Sequence, residues 1–323
     1  MKAIQASNYG AEDQLKLVDV PQPTPAKNQL LVRVFACTYN PIDSKLLSGK
    51  MRQSFPIQFP FTPGSDFSGV VDSVGEGVPQ FRSGDEVWGY ATSRGAYAEY
   101  IVIDADKVAL KPKTLSHLEA ASLALVGQTA LQLVDRAGIQ PGQIVLIQGA
   151  GGAVGSVAVQ EARRRGAAVI AVAASSSADR LKSYGARQVL DYEKTVFEKS
   201  VQGVDVVLDA VGGDVQLRSF SVMKPGGILV SIVQPPSEQE AEKYRVKAIM
   251  LVTESSAATL KKLADQVDAG QIKPFIGKVY PLTEVVNAWH DNRTQHIEGK
   301  LAFQVAAGAD QRPDARRSAA SSN

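Results

Sequence analysis

The chain has 323 residues, 44% of them hydrophobic, with 35 basic against 33 acidic side chains and a formal net charge of +2. That length accommodates two domains of ordinary size, and so balanced a charge gives no electrostatic footprint for nucleic acid. The one cysteine, Cys37, excludes an internal disulfide and fits a reducing compartment. The chain opens directly on a β-type run rather than a signal peptide, and no apolar run reaches the roughly eighteen residues of a membrane span, so a soluble cytoplasmic protein is expected.

The first part reads as short β-type runs: LysAlaIleGlnAla from residue 2, LeuLeuValArgValPheAlaCys from 30, GlyValValAspSerVal from 69 and AlaTyrAlaGluTyrIleVal from 96, separated by proline and glycine turns. They predict an antiparallel, barrel-like region. Near residue 115 the pattern turns helical, and SerHisLeuGlu at 116–119 is a capping box for a helix through Leu133.

An apolar strand at 143–148 then runs into ValLeuIleGlnGlyAlaGlyGlyAlaValGlySer at 145–156, a helix over about 152–165 and a second strand at 168–173. This is the layout of a dinucleotide site, because a pyrophosphate can rest on backbone N–H groups at a helix N-terminus only where no side chain intervenes. Ala150, Gly152 and Gly155 take the small-residue positions, with Ala153 and Val154 completing the candidate cradle. Coenzyme sites that prefer NAD carry an acid at the tip of the second strand. Here Ser175, Ser176, Ser177 and Arg180 offer hydroxyls and a guanidinium instead, so NADP(H) is expected, with Asp179 placed in the first turn of the next helix.

Strands at 189–190, 204–209 and 227–232 continue the alternation and argue a doubly wound parallel sheet. Val211, Gly212, Ser231, Ile232 and Val233 fall at the ends of these later strands, where a dinucleotide passes. A helix at 256–267 and strand-like runs from 272 and 300 suggest that the chain returns to its first domain. The expected division is 1–118 with 269–306, then 119–268 for the nucleotide, with a cleft between domains as the natural site. Residues 307–323, rich in Ala, Ser, Asp and Arg, are expected to be a disordered tail. The histidines His117, His290 and His296 have no metal-ligand spacing, and read as one capping-turn residue and a solvated pair.

With these pieces placed, residues 1–306 resemble the medium-chain dehydrogenase/reductase superfamily, in its zinc-independent quinone oxidoreductase and enone reductase branch. The marks are AsnProIleAsp at 40–43, GlyGluGlyValProGlnPheArgSerGlyAspGluValTrpGly at 75–89, ArgGlyAlaTyrAlaGluTyr at 94–100 in place of the usual GlyGlyAlaTyrAlaGluTyr, GlyGlnThrAla at 127–130, the glycine turn, and GlyLysLeuAlaPhe at 299–303. The resemblance implies an α/β fold, a Rossmann doubly wound parallel sheet plus a GroES-like, mainly antiparallel β-barrel domain, and a homodimer joined through edge strands of the nucleotide domain. In the zinc-dependent branch a cysteine ligand stands at the position of Asn40, and GlyHisGlu stands where this chain has GlySerAsp at 64–66. Asn40, Ser65 and Asp66 cannot reproduce that site, so no metal is expected.

Without a Lewis acid to ionise an alcohol, the resemblance implies hydride transfer from NADPH to a quinone or to the C=C bond of an α,β-unsaturated ketone or aldehyde. Charge then builds on the acceptor oxygen, which calls for a donor. Lys45 and Asn40 are the catalytic candidates, both also near the coenzyme, while Asp43 reads as a cap. Thr129, Tyr192 and Lys300 are further coenzyme positions, and Tyr39 and Phe55 are candidates for an apolar substrate slot or the core. Two departures stand out. Leu47 replaces a frequent arginine and would grease the pocket, and Ser177 replaces a lysine for the 2′-phosphate, which leaves that role to Arg180. A nucleotide-binding protein with little turnover, acting as a sensor, structural protein or interaction module, is the alternative.

Overall fold

The structure, a computed structural model, describes residues 1–295 and 297–310. The described residues divide into two compact units, one made of residues 1–125, 255–269 and the described residues from 274 to 310, the other of 126–254 and 270–273.

In the first unit β1 (Lys2–Gln5) pairs antiparallel with β2 (Lys16–Asp19). The main sheet takes β3 (Gln29–Thr38), β4 (Asp66–Val74), β5 (Glu86–Tyr90) and β7 (Val108–Leu110) in antiparallel succession, with β6 (Tyr100–Asp104) on the first half of β3; α1 (Pro41–Leu47) follows β3 in the chain. Leu30, Val32 and Val34 alternate into the core, and a register shift between Val34 and Ala36 then sends Cys37 into the same core and Ala36 to a second cluster. At α1 the fixed φ of Pro41 suits a first helical position. Leu46 and Leu47 face inward and Lys45 outward. Leu47, expected to grease a pocket, is fully buried and belongs to the core cluster with Leu30, Val32 and Val34.

The long helix α2 (His117–Ala137) begins as expected, with Ser116 N donating to Glu119 Oε2 at 2.9 Å and Glu119 N to Ser116 Oγ at 3.2 Å, and runs four residues past Leu133. His117 is more than a capping-turn residue. It is fully buried, with Nδ1 2.8 Å from Ser68 Oγ and its ring stacked on Phe35.

The second unit is a six-stranded parallel sheet of β8 (Ile144–Gln148), β9 (Ala168–Ala173), β10 (Gln188–Asp191), β11 (Val204–Asp209), β12 (Met223–Ser231) and β13 (Lys247–Met250), in the order β10-β9-β8-β11-β12-β13. The connecting helices are α3 (Ala153–Arg164), α4 (Ala178–Ser183), α5 (Phe197–Ser200), α6 (Gly213–Ser219) and α7 (Glu238–Tyr244). The chain builds outward from β8 in one direction and then from β11 in the other, so the topological switch lies between these two strands. Strands covered on both faces carry nearly continuous apolar runs, as IleValLeuIle in β8 does.

The helix α8 (Ala257–Asp268) packs against β7 and groups with the first unit. There the chain adds β14 (Ile276–Pro281), α9 (Val285–Gln295) and β15 (Lys300–Gln304), with β15 parallel to β14 and antiparallel to β3. Of the segment expected to be disordered, residues 307–310 are described. Ala309 is buried among Ala36, Leu118, Ala121 and Ala302, and its carbonyl accepts from Leu118 N at 3.0 Å. The remainder, 311–323, lies outside the described residues, as does His296, while His290 is exposed and 3.6 Å from Glu12.

Asp43 caps α1 from inside the core. Its Oδ2 accepts from Asn40 N at 2.9 Å, Oδ1 has no partner among the described residues, and burial outweighs that hydrogen bond and the nearby Arg94 and Lys300 charges to push its carboxyl up to about 6. Between pH of about 4 and 6 the folded chain keeps a proton that the unfolded chain has released, so this carboxyl weakens folding as pH rises through that window, by about 3 kcal/mol in full. Urea unfolding of wild type and Asp43→Asn should therefore show wild type gaining on the variant between pH 7 and pH 4.5. A difference independent of pH would return Asp43 to the ordinary carboxylate range.

Candidate active site

In the second unit the strand β8 ends at Gly149, whose φ of +74° turns the chain toward α3. A Cβ on Gly155 would lie 2.3 Å from Gly149 O and 2.7 Å from Ala150 Cα, and one on Gly151 would lie 2.8 Å from Ser177 Oγ. These positions accept only glycine at this closeness, which brings the turn onto the first turn of α3. With Gly152 as N-cap, the N–H groups of Ala153, Val154 and Gly155 have no acceptor within the helix. A small, amide-lined cradle at the positive end of a twelve-residue helix fits a pyrophosphate.

Because all six strands run parallel, the other coenzyme candidates of this unit lie along the same sheet edge. After β9, Ser175 and Ser176 are exposed, whereas Ser177 is buried under Gly151. Arg180 Nη2 donates to Gly151 O at 3.1 Å and to Ser177 Oγ at 2.9 Å, so its guanidinium braces the glycine turn. Ser175 also bonds Asp191 and accepts from Lys194 Nζ at 2.9 Å. Lys194, a residue the sequence reading missed, thus joins Tyr192, which is exposed, after β10. After β11 the buried Asp209 takes Val211 N at 3.0 Å and Gly212 N at 2.9 Å on one oxygen, and Gln216 Nε2 and Ser231 Oγ on the other. One carboxylate thereby sets the Val211–Gly212 loop and the end of β12, leaving the side chains of Val211 and Val233 exposed and Ile232 half-buried. Thr129 Oγ1, on α2, bonds Thr253 Oγ1 at 2.8 Å, a long-range partner rather than only its own helix turn.

The first unit holds a second polar centre, inside its core. Asp66, at the start of β4, is fully buried and accepts on Oδ2 from Thr38 Oγ1 at 2.6 Å and Asn40 Nδ2 at 2.9 Å, and on Oδ1 from Leu125 N at 2.8 Å. Lys300, at the start of β15 and 4% exposed, brings its ammonium to 3.1 Å from the same Oδ2, to 2.7 Å from Tyr39 O and into hydrogen-bond contact with Asn40 Oδ1. The ammonium thus donates two hydrogen bonds, to Tyr39 O and Asn40 Oδ1, and forms an ion pair with Asp66. The Asn40 amide is oriented from both ends, its oxygen by Lys300 and its nitrogen by Asp66, which leaves one Nδ2 hydrogen for a further acceptor.

The remaining candidates are spread around this centre. Lys45 is exposed and lines a cavity of about 480 Å³ with Gly10, Lys50, Trp289 and Arg293. It shares no hydrogen bond with Asn40. Tyr39 is half-buried, its hydroxyl 2.9 Å from Ser44 Oγ and its ring edge-on to Trp289, while Phe55 is 55% exposed. Arg94, in the turn after β5, adopts a φ of +70° and donates from Nη1 to Ser65 Oγ at 2.9 Å. An L residue other than Asn or Asp in that region costs about 1–2 kcal/mol. Among the described residues no three His, Cys, Asp or Glu side chains converge as a metal-binding group. Reading the sequence alone missed the roles of Thr38, Asp66 and Arg94. The available signals were an acid one residue after Ser65, at the opening of a β-type run, and an arginine in place of a motif glycine.

Residues 26–113 match the family described as "Alcohol dehydrogenase GroES-like domain", and residues 184–302 match "Zinc-binding dehydrogenase". Among curated proteins, the tomato (Solanum lycopersicum) 2-methylene-furan-3-one reductase is 35% identical, over 94% of this chain and 79% of its own. The Arabidopsis thaliana chloroplastic NADPH-dependent alkenal/one oxidoreductase is 32% identical, over 93% and 78%. Among solved structures, the quinone oxidoreductase from Coxiella burnetii superposes with a TM-score of 0.87 at 35% identity, covering 95% of this chain and 99% of that one. A chain that shares both halves of its architecture and about a third of its residues with these oxidoreductases belongs to the medium-chain dehydrogenase/reductase superfamily, whose members bind a nicotinamide coenzyme.

Proposed function

We propose that the chain is an NADPH-dependent reductase of quinones or of α,β-unsaturated ketones and aldehydes that works without zinc. The observation that carries the reading is the Lys300 ammonium seated on Asn40 and Asp66, two of the positions where the zinc-dependent branch places its ligands. A buried cation already in contact with a carboxylate disfavours a second, divalent one, and an amide, a serine and one carboxylate make a poor tetrahedral zinc set. The activities for which the tomato and Arabidopsis relatives are named point the same way.

Bound NADPH supplies the hydride. The chain contributes the cradle of Gly151, Gly152, Ala153, Val154 and Gly155 for the pyrophosphate, and Ser175, Ser176, Arg180 and Lys194 for the 2′-phosphate. As the β-carbon of the acceptor gains hydride, negative charge grows on its carbonyl oxygen, where a fixed donor lowers the barrier. Asn40, held rigid by Lys300 and Asp66, and Lys45, with its mobile charge, are the donors assigned to that oxygen and to the nicotinamide ribose. A cytoplasmic homodimer paired through the edge strand β13 completes the reading. The buried Cys37 fits a reducing compartment, and among the described residues no helix is long and apolar enough to cross a membrane.

The direct test is NADPH oxidation against a naphthoquinone, an alkyl vinyl ketone, a long-chain 2-enal and, with NADP, a saturated alcohol. Turnover limited to the electron-poor acceptors is expected, and alcohol oxidation alone would overturn the reading. Arg180→Ala should raise KM for NADPH about tenfold more than it raises KM for NADH, the loss common to both being that of the Gly151 brace. An equal loss for both coenzymes would confine Arg180 to bracing Gly151. Purified protein should contain less than about 0.1 zinc per chain. Lys300→Met should lower Tm by about 10 °C by stranding the Asp66 charge, and the pair Asp66→Asn with Lys300→Met should recover most of it. Stoichiometric zinc removed by chelator together with activity would reverse the assignment.

A further inference from the structure

Arg94 is the one residue of its motif that departs from the family pattern, and it does so at the worst position for a side chain. It stands for the first glycine of GlyGlyAlaTyrAlaGluTyr, at a φ of +70° that glycine adopts freely and an arginine only under strain. The side chain does not turn to solvent as a tolerated surface change would. It is half-buried, with Nη1 on the Oγ of fully buried Ser65 at 2.9 Å and a buried Nε that has no hydrogen-bond partner among the described residues. No carboxylate among the described residues forms an ion pair with it, although its charge is felt by Asp43. A serine hydroxyl needs only a neutral partner, so the hydrogen bond to Ser65 does not account for a strained cation. Ser65 and Asp66 are also the positions where the zinc-dependent branch carries its histidine and glutamate. The guanidinium has therefore been brought to the neighbourhood in which those relatives hold their positive charge.

We propose that Arg94 is a catalytic residue, whose guanidinium donates a hydrogen bond to the acceptor's carbonyl oxygen and stabilises the anion formed there. The proposal rests on the reductase reading above. In the step, hydride from NADPH forms a C–H bond at the β-carbon, the C=C π pair shifts so that an enolate forms, and NADPH is oxidised to NADP⁺. Arg94 keeps its own protons throughout and pairs with the enolate oxygen, and the α-carbon then takes a proton from water. With a quinone the corresponding anion is that of the hydroquinone.

The test compares wild type with Arg94→Gly and Arg94→Lys. Because glycine relieves the strained φ, Arg94→Gly should melt no lower than wild type and bind NADPH as tightly, yet lose about 100-fold in kcat with an alkyl vinyl ketone. Guanidinium chloride at about 20 mM should restore part of that turnover in Arg94→Gly only, and Arg94→Lys should retain an intermediate rate. Turnover within about twofold of wild type in Arg94→Gly would overturn the proposal while leaving the reductase reading intact. A loss accompanied by lower Tm and no guanidinium rescue would overturn it as well, in favour of a structural role. Benzoate, whose carboxylate stands in for the enolate, gives a readout without turnover, and its quenching of tryptophan fluorescence in the presence of NADP⁺ should disappear in Arg94→Gly. If wild type reduced no acceptor yet bound benzoate through Arg94, the reductase reading would fail and Arg94 would stand as an anion donor. Benzoate bound equally by both proteins would remove it from that role.

Discussion

The buried pair of Asp66 and Lys300 is the interaction on which the first unit depends. Asp66 opens β4, Lys300 opens β15, and Thr38 closes β3 with Asn40 two residues beyond it, so one carboxylate oxygen ties three neighbouring strands at the same end of the sheet. Two buried charges are tolerable only when each is fully hydrogen-bonded, and here the second carboxylate oxygen takes Leu125 N while the ammonium finds two further acceptors. The same bonds that satisfy the pair hold the Asn40 amide in one orientation. Stability and the geometry of a candidate donor therefore come from one set of contacts.

Asp43 and Arg94 sit beside this pair and show the opposite condition, polar groups left incompletely matched. Among the described residues Asp43 keeps one buried oxygen without a partner, and Arg94 a buried Nε without one, at a strained φ. Incomplete satisfaction in the interior commonly marks a place where a ligand, rather than the fold, completes the hydrogen bonding.

In the second unit the corresponding economy is made with backbone. The closeness of Gly155 to Gly149 and of Gly151 to Ser177 brings helix, turn and following strand together without side chains, and Arg180 then reaches back to the turn's own carbonyl. Asp209 does for the later loops what Arg180 does for the first, collecting two N–H groups, an amide and a hydroxyl on one carboxylate. The edge of the parallel sheet is shaped largely by side chains that bond to backbone rather than to one another.

Local patterns settled much of this chain in advance. The glycine turn, the capping box at Ser116 and Glu119, the strands β8, β9 and β11 and the change from β-type to alternating pattern near residue 115 are all legible, because hydrophobic period and turn chemistry act over a few residues. The small strand β13 and the helices α1, α7 and α9 are not, being short or weakly patterned and held by packing. Leu47 reads as a pocket residue and is core, His117 reads as a cap and is buried against Ser68 and Phe35, and Lys300 reads as a coenzyme contact and carries an internal ammonium. The sequence by itself determined the two kinds of architecture and the presence of a dinucleotide turn. Only the tertiary structure decided which charges meet, since Asn40, Asp66 and Lys300 are separated by 26 and 260 residues from one another along the chain and no local rule couples them.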